Sequence, residues 1–244
     1  MKATDPGLPT AIMQKVMAHA DFHVVADIVR RNTSGKIYLV GGKVYRTAIE
    51  LIHGYKCNSE GVDWDFLCIG EVVEPRRAYV RDDWVPNEGE YDGSKANSMC
   101  LKHYSTSNSN YTPQSIFSPT IVKKIDIIGI KDVMLATANP TGQLEDYLNI
   151  VPLTVQSIAL SADSASYPSL YGRVGMKSIE TRTVAVNNEI GALGRLNVPK
   201  YLRQKAENLQ FYYAGSNIKR PCNCFPNDTQ LLWRLGCQSK LTHI

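Results

Sequence analysis

The sequence has no run of 18 or more consecutive apolar residues, which is about the shortest stretch that spans a membrane as a helix. Its first ten residues contain a single basic residue and no apolar stretch like the core of a signal peptide. Internal repeats and low-complexity blocks are also missing. We therefore expect a cytoplasmic protein with no membrane partner.

The chain also has no large excess of positive or negative charge, because its net charge is only +4 over 244 residues. Such a balance permits a nucleic-acid partner but does not require one. The basic residues form three groups that could build a basic face, although scattered, solvated side chains would give the same pattern. These groups are Arg76, Arg77 and Arg81; Lys123 and Lys124; and Lys200, Arg203 and Lys205.

Cysteines are few and widely spaced, six in the whole chain, which fits free thiols in a reducing compartment better than a disulfide framework. Cys222, Cys224, Cys237 and His243 could supply four zinc ligands. The first two are closer together than a zinc knuckle normally requires. Thiols without a metal are therefore the favoured interpretation, and a structural zinc ion is the alternative.

The apolar content of 43% is sufficient for a substantial core in one large or two small domains. Apolar periodicity predicts helices and strands in an alternating order. Helices are expected at 9–31, 44–53, most of 144–161, and 200–209; strands are expected at 37–40, 62–69, 121–130 and within 179–186. The polar segment 71–119 is expected to contain a hairpin and long loops.

Two glycines, Gly41 and Gly42, follow a predicted buried strand and precede a predicted helix. Glycine lets a backbone come close to a ligand, and the first N–H groups of a helix favour phosphate. The pattern fits a phosphate-binding turn, and it also fits a structural turn that needs positive φ angles.

Three aspartates occur in two predicted strands. Asp63 and Asp65 are two residues apart, so an extended strand places both carboxylates on one face. Neighbouring carboxylates repel each other and are costly to bury, and a divalent cation removes both penalties. Asp126 interrupts an apolar strand, where it is either the partner of a lysine or a metal ligand. If the two strands are neighbours, the three carboxylates can hold Mg²⁺ or Mn²⁺.

The order of these features resembles the DNA polymerase beta-like nucleotidyltransferases. More narrowly, it resembles the head domain of class II CCA-adding tRNA nucleotidyltransferases and bacterial poly(A) polymerases. The similar segments are residues 39–44 (LVGGKV), 62–66 (VDWDF), 153–159 (LTVQSIA), 175–179 (GMKSI) and 199–211.

The resemblance implies an α/β (α+β) fold in which helices flank a central mixed sheet, followed by a small, mostly helical, neck-like region. Residues 1–165 would form the catalytic head domain with its N-terminal helix, and residues 166–244 the neck-like region. The implied activity is metal-dependent transfer of a nucleotide from an NTP such as ATP to an acceptor hydroxyl, with the 3′ end of a tRNA-like RNA as the expected acceptor.

The resemblance also implies roles for individual residues. Asp63, Asp65 and Asp126 would be catalytic and hold the metal ions. The nucleotide would be bound by Gly41, Gly42, Lys43, Arg46, Thr154 and Gln156, and the RNA by Arg76, Arg77, Lys200 and Arg203.

The sequence also departs from that family. Tyr45 and Arg46 replace its Arg-Asp pair, residues 150–152 replace its Arg-Arg-Asp, and its Glu-Asp-x-x-Arg motif for base selection is missing. Two alternatives therefore stay open. One is a small nucleotidyltransferase that modifies a protein or a small molecule, and the other is a degenerate, non-catalytic RNA-binding domain.

Overall fold

The computed structural model describes residues 5–57, 62–74, 77–81, 84–86, 97–103, 120–161, 168–188 and 198–213. For residues 97–103, 120–123 and 198–199 it describes the backbone alone. Cys222, Cys224, Cys237, His243 and Arg76 lie outside the described residues, and so does most of the segment 87–119.

Helices and strands alternate through the described chain. The helices are α1 (Leu8–Met17), α2 (Phe22–Arg31), α3 (Gly41–His53), α4 (Ile130–Leu135), α5 (Leu144–Ile150), a 3-10 turn (Thr154–Gln156), α6 (Arg173–Glu180) and α7 (Val198–Leu209). The strands are β1 (Lys36–Val40), β2 (Trp64–Ile69), β3 (Trp84–Pro86), β4 (Asn97–His103), β5 (Thr120–Gly129), β6 (Ala159–Ser161), β7 (Leu170–Tyr171), β8 (Thr183–Val184) and β9 (Tyr212–Tyr213).

One mixed sheet carries most of these strands, in the order β3-β4-β5-β2-β1-β6-β7. Strands β2 and β5 are parallel neighbours. The other adjacent pairs in this sheet are antiparallel. The expectation of a central mixed sheet flanked by helices is therefore confirmed.

The alternation of side chains along β2 separates two apolar clusters. Trp64, Phe66 and Cys68 join the larger cluster, which includes residues of α1, α2, α3 and α7. Leu67 lies on the other face, in a smaller cluster with residues of α4 and α5. Because Asp65 shares the orientation of Leu67, this face of the sheet is the one that carries its carboxylate.

The N-terminal region differs from the single helix predicted for residues 9–31. The first helix ends at Met17 and the second begins at Phe22. At the break, Asp21 accepts a hydrogen bond from the Trp64 indole N–H at 3.0 Å. The tertiary contact with Trp64 accompanies a break that apolar periodicity alone does not reveal.

The prediction of a mostly helical 144–161 segment is wrong for its second half. Helix α5 ends at Ile150, and Val151 is extended with ψ 138°, as expected for the residue before a proline. A single 3-10 turn follows, and then residues 159–161 form β6 beside β1. The strand pair expected within 179–186 is also different, because β8 pairs with β9 instead.

The described residues beyond 166 pack closely onto the first part of the chain. The Tyr55 hydroxyl donates to the Leu209 carbonyl at 2.8 Å, and a ring nitrogen of His53 lies 2.7 Å from the Ile179 carbonyl oxygen. All described residues fall within one unit, residues 1–214. The division at 165/166 into head and neck-like domains stays a prediction. Within the described helices, none is long and apolar enough to cross a membrane.

Candidate active site

The parallel pairing of β2 and β5 brings two of the predicted aspartates together. Asp65 and Asp126 are register partners on these adjacent strands. Neighbouring strands are about 4.8 Å apart, and register partners in a parallel pair project to the same face. The condition set in the sequence analysis, that the strand of Asp126 is a neighbour of the strand of Asp65, is therefore met.

Asp126 is completely buried, with 0% of its surface exposed, whereas Asp65 is partly exposed. The Lys124 ammonium lies 3.3 Å from Asp126 Oδ1. Lys124 was not predicted as a site residue, although its position two residues before Asp126 in a strand puts it on the same face. The structure thus places one cation and two carboxylates on one patch of the sheet.

Asp63 lies just before β2 begins and is partly exposed. In the described part of the chain, no three histidine, cysteine, aspartate or glutamate side chains converge as a ready-made metal site. Magnesium, however, is commonly held by one or two carboxylates, with water and substrate phosphates completing its shell. The paired Asp65 and Asp126 fit that donor set, and a third role for Asp63 stays a prediction.

The Gly41–Gly42 turn lies directly beside Asp65. Val40, the last residue of β1, is the antiparallel partner of Asp65, so the turn follows at the level of the carboxylate. Gly41 has φ +67°, and a Cβ there would overlap the Asp65 carboxylate. Both glycines belong to the first turn of α3, which therefore begins earlier than the predicted residue 44. Gly41 thus meets two needs, a left-handed backbone and close contact with Asp65.

Lys43 and Arg46 both lie near aromatic rings, and their role in nucleotide binding stays a prediction. Lys43 is 6% exposed, and its ammonium lies 4.7 Å from the centre of the Trp64 ring, which is part of the cluster on the opposite face. The Arg46 guanidinium lies 5.9 Å from the centre of the Tyr45 ring and is close enough to Cys57 to influence the thiol pKa. Burial is the larger effect and raises the pKa of Cys57 to about 11.

Thr154 and Gln156 have structural contacts in this fold. The Thr154 hydroxyl accepts the Ala185 N–H at 3.0 Å and contacts the Ser178 hydroxyl at 3.2 Å. Gln156 Oε1 accepts the Leu153 N–H at 3.2 Å. These bonds join the 3-10 turn to α6 and to the chain around β8, so a nucleotide-binding role for the two residues stays a prediction.

The predicted RNA-binding residues that the structure describes are exposed: Arg77 before β3, and Lys200 and Arg203 on α7. Their exposure is compatible with phosphate contacts, and their role in RNA binding stays a prediction.

Tyr147, which sequence reasoning missed, lies near Asp65. Burial raises its pKa, and the negative charge of Asp65 adds to the effect. Its hydroxyl therefore stays protonated at neutral pH. Only the tertiary structure identifies this residue, because an aromatic side chain on an amphipathic helix is otherwise typical of the core.

Neither a protein-family model nor any curated protein matches the sequence. Solved structures of similar fold include a CCA-adding enzyme with ATP, at 13% identity and TM-score 0.47, where the match covers 83% of this chain and 41% of that one. Another is a CCA-adding enzyme with CTP, at 14% identity and TM-score 0.47, with 83% and 42% covered. A third is a tRNA-processing enzyme, at 18% identity and TM-score 0.42, with 74% and 42% covered. The chain thus spans less than half the length of these structures.

Proposed function

We propose that this protein is a metal-dependent nucleotidyltransferase that transfers a nucleotide from an NTP to an acceptor hydroxyl, with the 3′ end of an RNA such as tRNA as the acceptor. One observation carries the proposal. Asp65 and Asp126 are register partners on adjacent parallel strands, immediately beside a glycine turn whose backbone lies against Asp65. Paired carboxylates can hold the metal ions that stabilise the transition state of phosphoryl transfer.

Asp65 and Asp126 would hold Mg²⁺ or Mn²⁺, and Asp63 would complete the set. When bound, the ion would neutralise phosphate charge and lower the pKa of the attacking hydroxyl. Because Gly41 carries no side chain, the Asp65 carboxylate can lie directly against the turn. The apolar cluster that contains Leu67, Tyr147 and Ala159 lies on the same face of the sheet as the Asp65 carboxylate.

The activity is tested by incubating the purified chain with radiolabelled NTPs, Mg²⁺, and either total RNA or total protein. We expect label in RNA. Asp65→Asn and Asp126→Asn should each reduce transfer by roughly a hundredfold or more, since metal stabilisation of the transition state contributes several kcal/mol. Asp27→Asn, a matched change on α2 away from the patch, should transfer as the wild type does.

Retention of activity in the Asp65 variant would show that the assignment of the site is wrong. Label in a protein acceptor, with none in RNA, would favour the alternative of a small nucleotidyltransferase that modifies proteins. RNA binding without any transfer would favour a non-catalytic RNA-binding domain.

A further inference from the structure

Three side chains from two helices meet next to the glycine turn: Tyr45 of α3, and Tyr201 and Lys205 of α7. We name them the tyrosine–lysine cluster. The Lys205 ammonium donates a hydrogen bond to the Tyr45 hydroxyl at 3.1 Å. It also lies 5.7 Å from the centre of the Tyr45 ring and 5.2 Å from that of Tyr201. Two aromatic rings therefore fix the position of one part-buried cation.

The cluster and Asp65 lie on two sides of the same turn. The Tyr45 hydroxyl is 3.8 Å from the position that a Cβ of Gly42 would occupy, whereas a Cβ of Gly41 would overlap the Asp65 carboxylate. A group that contacts this turn can therefore reach both the carboxylate and the cluster.

Among the residues that the structure describes, part of the cationic and hydrogen-bonding capacity of the cluster is unused. In the described part of the chain, Lys205 forms no ion pair with a carboxylate. Although burial lowers the pKa of Lys205, its two tyrosine neighbours raise it overall, so the ammonium keeps its charge at neutral pH. Part-buried charges normally have a counter-ion, and an anion is the ligand that would supply one.

The tyrosine hydroxyls also favour an anion. The Tyr45 hydroxyl accepts from Lys205, and the Tyr201 hydroxyl accepts from Gln156 Nε2 at 2.9 Å. Among the described residues, neither hydroxyl donates a hydrogen bond. Each therefore has a proton to offer to an acceptor atom, and phosphate oxygens are strong acceptors.

We propose that the tyrosine–lysine cluster binds the polyphosphate of the incoming nucleoside triphosphate, with Lys205 as the cation that neutralises it. This inference rests on the proposed function and adds to it a residue that no family motif predicted for this role. The Lys43 ammonium lies over the Trp64 ring, whereas Lys205 donates to the Tyr45 hydroxyl beside Gly42, so Lys205 would supply the charge that the resemblance implied for Lys43. Nucleotide binding would then join α7 to the catalytic sheet.

The experiment measures binding of inorganic pyrophosphate and of ATP to the full chain by calorimetry in EDTA, so that no metal ion contributes. We expect Lys205→Met, which keeps the aliphatic stem, to weaken both by roughly tenfold or more, as the loss of a charged hydrogen bond does. Lys205→Arg should stay within about threefold of wild type, because the charge is kept. Lys177→Met, which removes an exposed lysine from α6, is the matched control and should bind as wild type.

The outcomes of the binding experiment and of the transfer assay distinguish this inference from the proposed function. If the wild type binds no pyrophosphate, or if Lys205→Met binds it as tightly as wild type, the inference is overturned even where nucleotide transfer is observed. If pyrophosphate binding depends on Lys205 but no transfer occurs, the proposed function fails and the anion site stands. If Lys205→Met binds a single-stranded RNA more weakly but binds pyrophosphate as the wild type does, Lys205 contacts the acceptor and the inference is overturned.

Should Lys205→Met fail to fold, Tyr201→Phe takes its place, because it keeps the ring and removes one hydrogen-bond donor. We expect it too to weaken the binding of pyrophosphate and ATP.

Discussion

At the scale of single residues, Gly41 and Gly54 form a natural pair for testing the site. Both have positive φ, +67° and +73°, so alanine costs about 1–2 kcal/mol of backbone strain at either position. Only at Gly41 would the new Cβ meet a neighbour, the Asp65 carboxylate, because nothing lies within 4 Å of a Cβ at Gly54. We predict that Gly41→Ala abolishes nucleotide transfer and that Gly54→Ala does not.

Urea unfolding and transfer assays on the two variants provide the measurement. Gly41→Ala should lose more free energy of unfolding than Gly54→Ala, by an extra cost of about 1–3 kcal/mol for overpacking. Equal activity in the two variants would mean that the contact between Gly41 and Asp65 has no bearing on catalysis.

At the scale of elements, a buried asparagine holds the segment 77–81 against the end of α2. Asn32 is 1% exposed. Its amide donates to the Ile28 carbonyl at 2.7 Å and the Tyr79 carbonyl at 2.8 Å, and its carbonyl accepts the Tyr79 N–H at 2.7 Å. We predict that Asn32→Ala lowers the free energy of unfolding by about 2–3 kcal/mol, since it leaves buried groups without partners.

Hydrogen exchange should also show faster exchange at the Tyr79 amide in this variant. Thr33→Val is the control, because among the described residues the Thr33 hydroxyl bonds only to the Val29 carbonyl of α2, at 2.7 Å. If both variants expose Tyr79 equally, Asn32 is not what holds the segment.

The first turn of α5 contains a carboxylate whose ionisation stabilises the fold. Burial raises the pKa of Asp146, but hydrogen bonds to it prevail and hold the pKa below its ordinary value. The donors include the Thr141 N–H at 2.8 Å, the Thr141 hydroxyl at 3.0 Å and the Gly142 N–H at 2.7 Å. A depressed folded-state pKa gives stability that is present above about pH 4 and lost as the pH falls through the folded value.

Asp146→Asn should therefore melt at a lower temperature than the wild type at pH 7, and the difference should shrink below pH 4. Thermal melts of both proteins across pH 3–7 give this comparison. A difference that stayed constant with pH would show that the charge of Asp146 contributes nothing.

At the scale of the whole molecule, the exposed basic residues of α7 bear on the acceptor. Lys200 and Arg203 are both exposed, while Lys205 on the same helix is held by two tyrosines. We predict that a single-stranded RNA 3′ end binds the protein and that its affinity falls steeply with salt, because phosphate contacts release counterions. A Lys200→Met, Arg203→Met double variant should reduce the salt slope by about 1–2.

Filter binding over a range of salt concentrations measures that slope, with Lys177→Met as the control. Should RNA fail to bind even at low salt while a protein takes up label from NTP, the acceptor is a protein.

Local geometry explains most of what could be predicted. The strand at 62–69, the αL glycine after α3 and the helix at 200–209 follow from patterns of a few neighbouring residues. The break between α1 and α2 and the strand β6 could not be predicted in the same way. The first accompanies a contact between Asp21 and Trp64, and the second depends on pairing with β1, and neither partner is near in sequence.

The sequence by itself determined which residues share a face: Asp65 and Leu67 on one side of β2, and Trp64 and Phe66 on the other, because successive side chains of a strand alternate. Only the tertiary structure decided that β5 lies beside β2 and aligns Asp126 with Asp65. It also decided that Lys205 of α7 contacts Tyr45 beside Gly42. Strand pairing and helix docking join segments far apart along the chain, and their energies depend on contacts that no local pattern encodes.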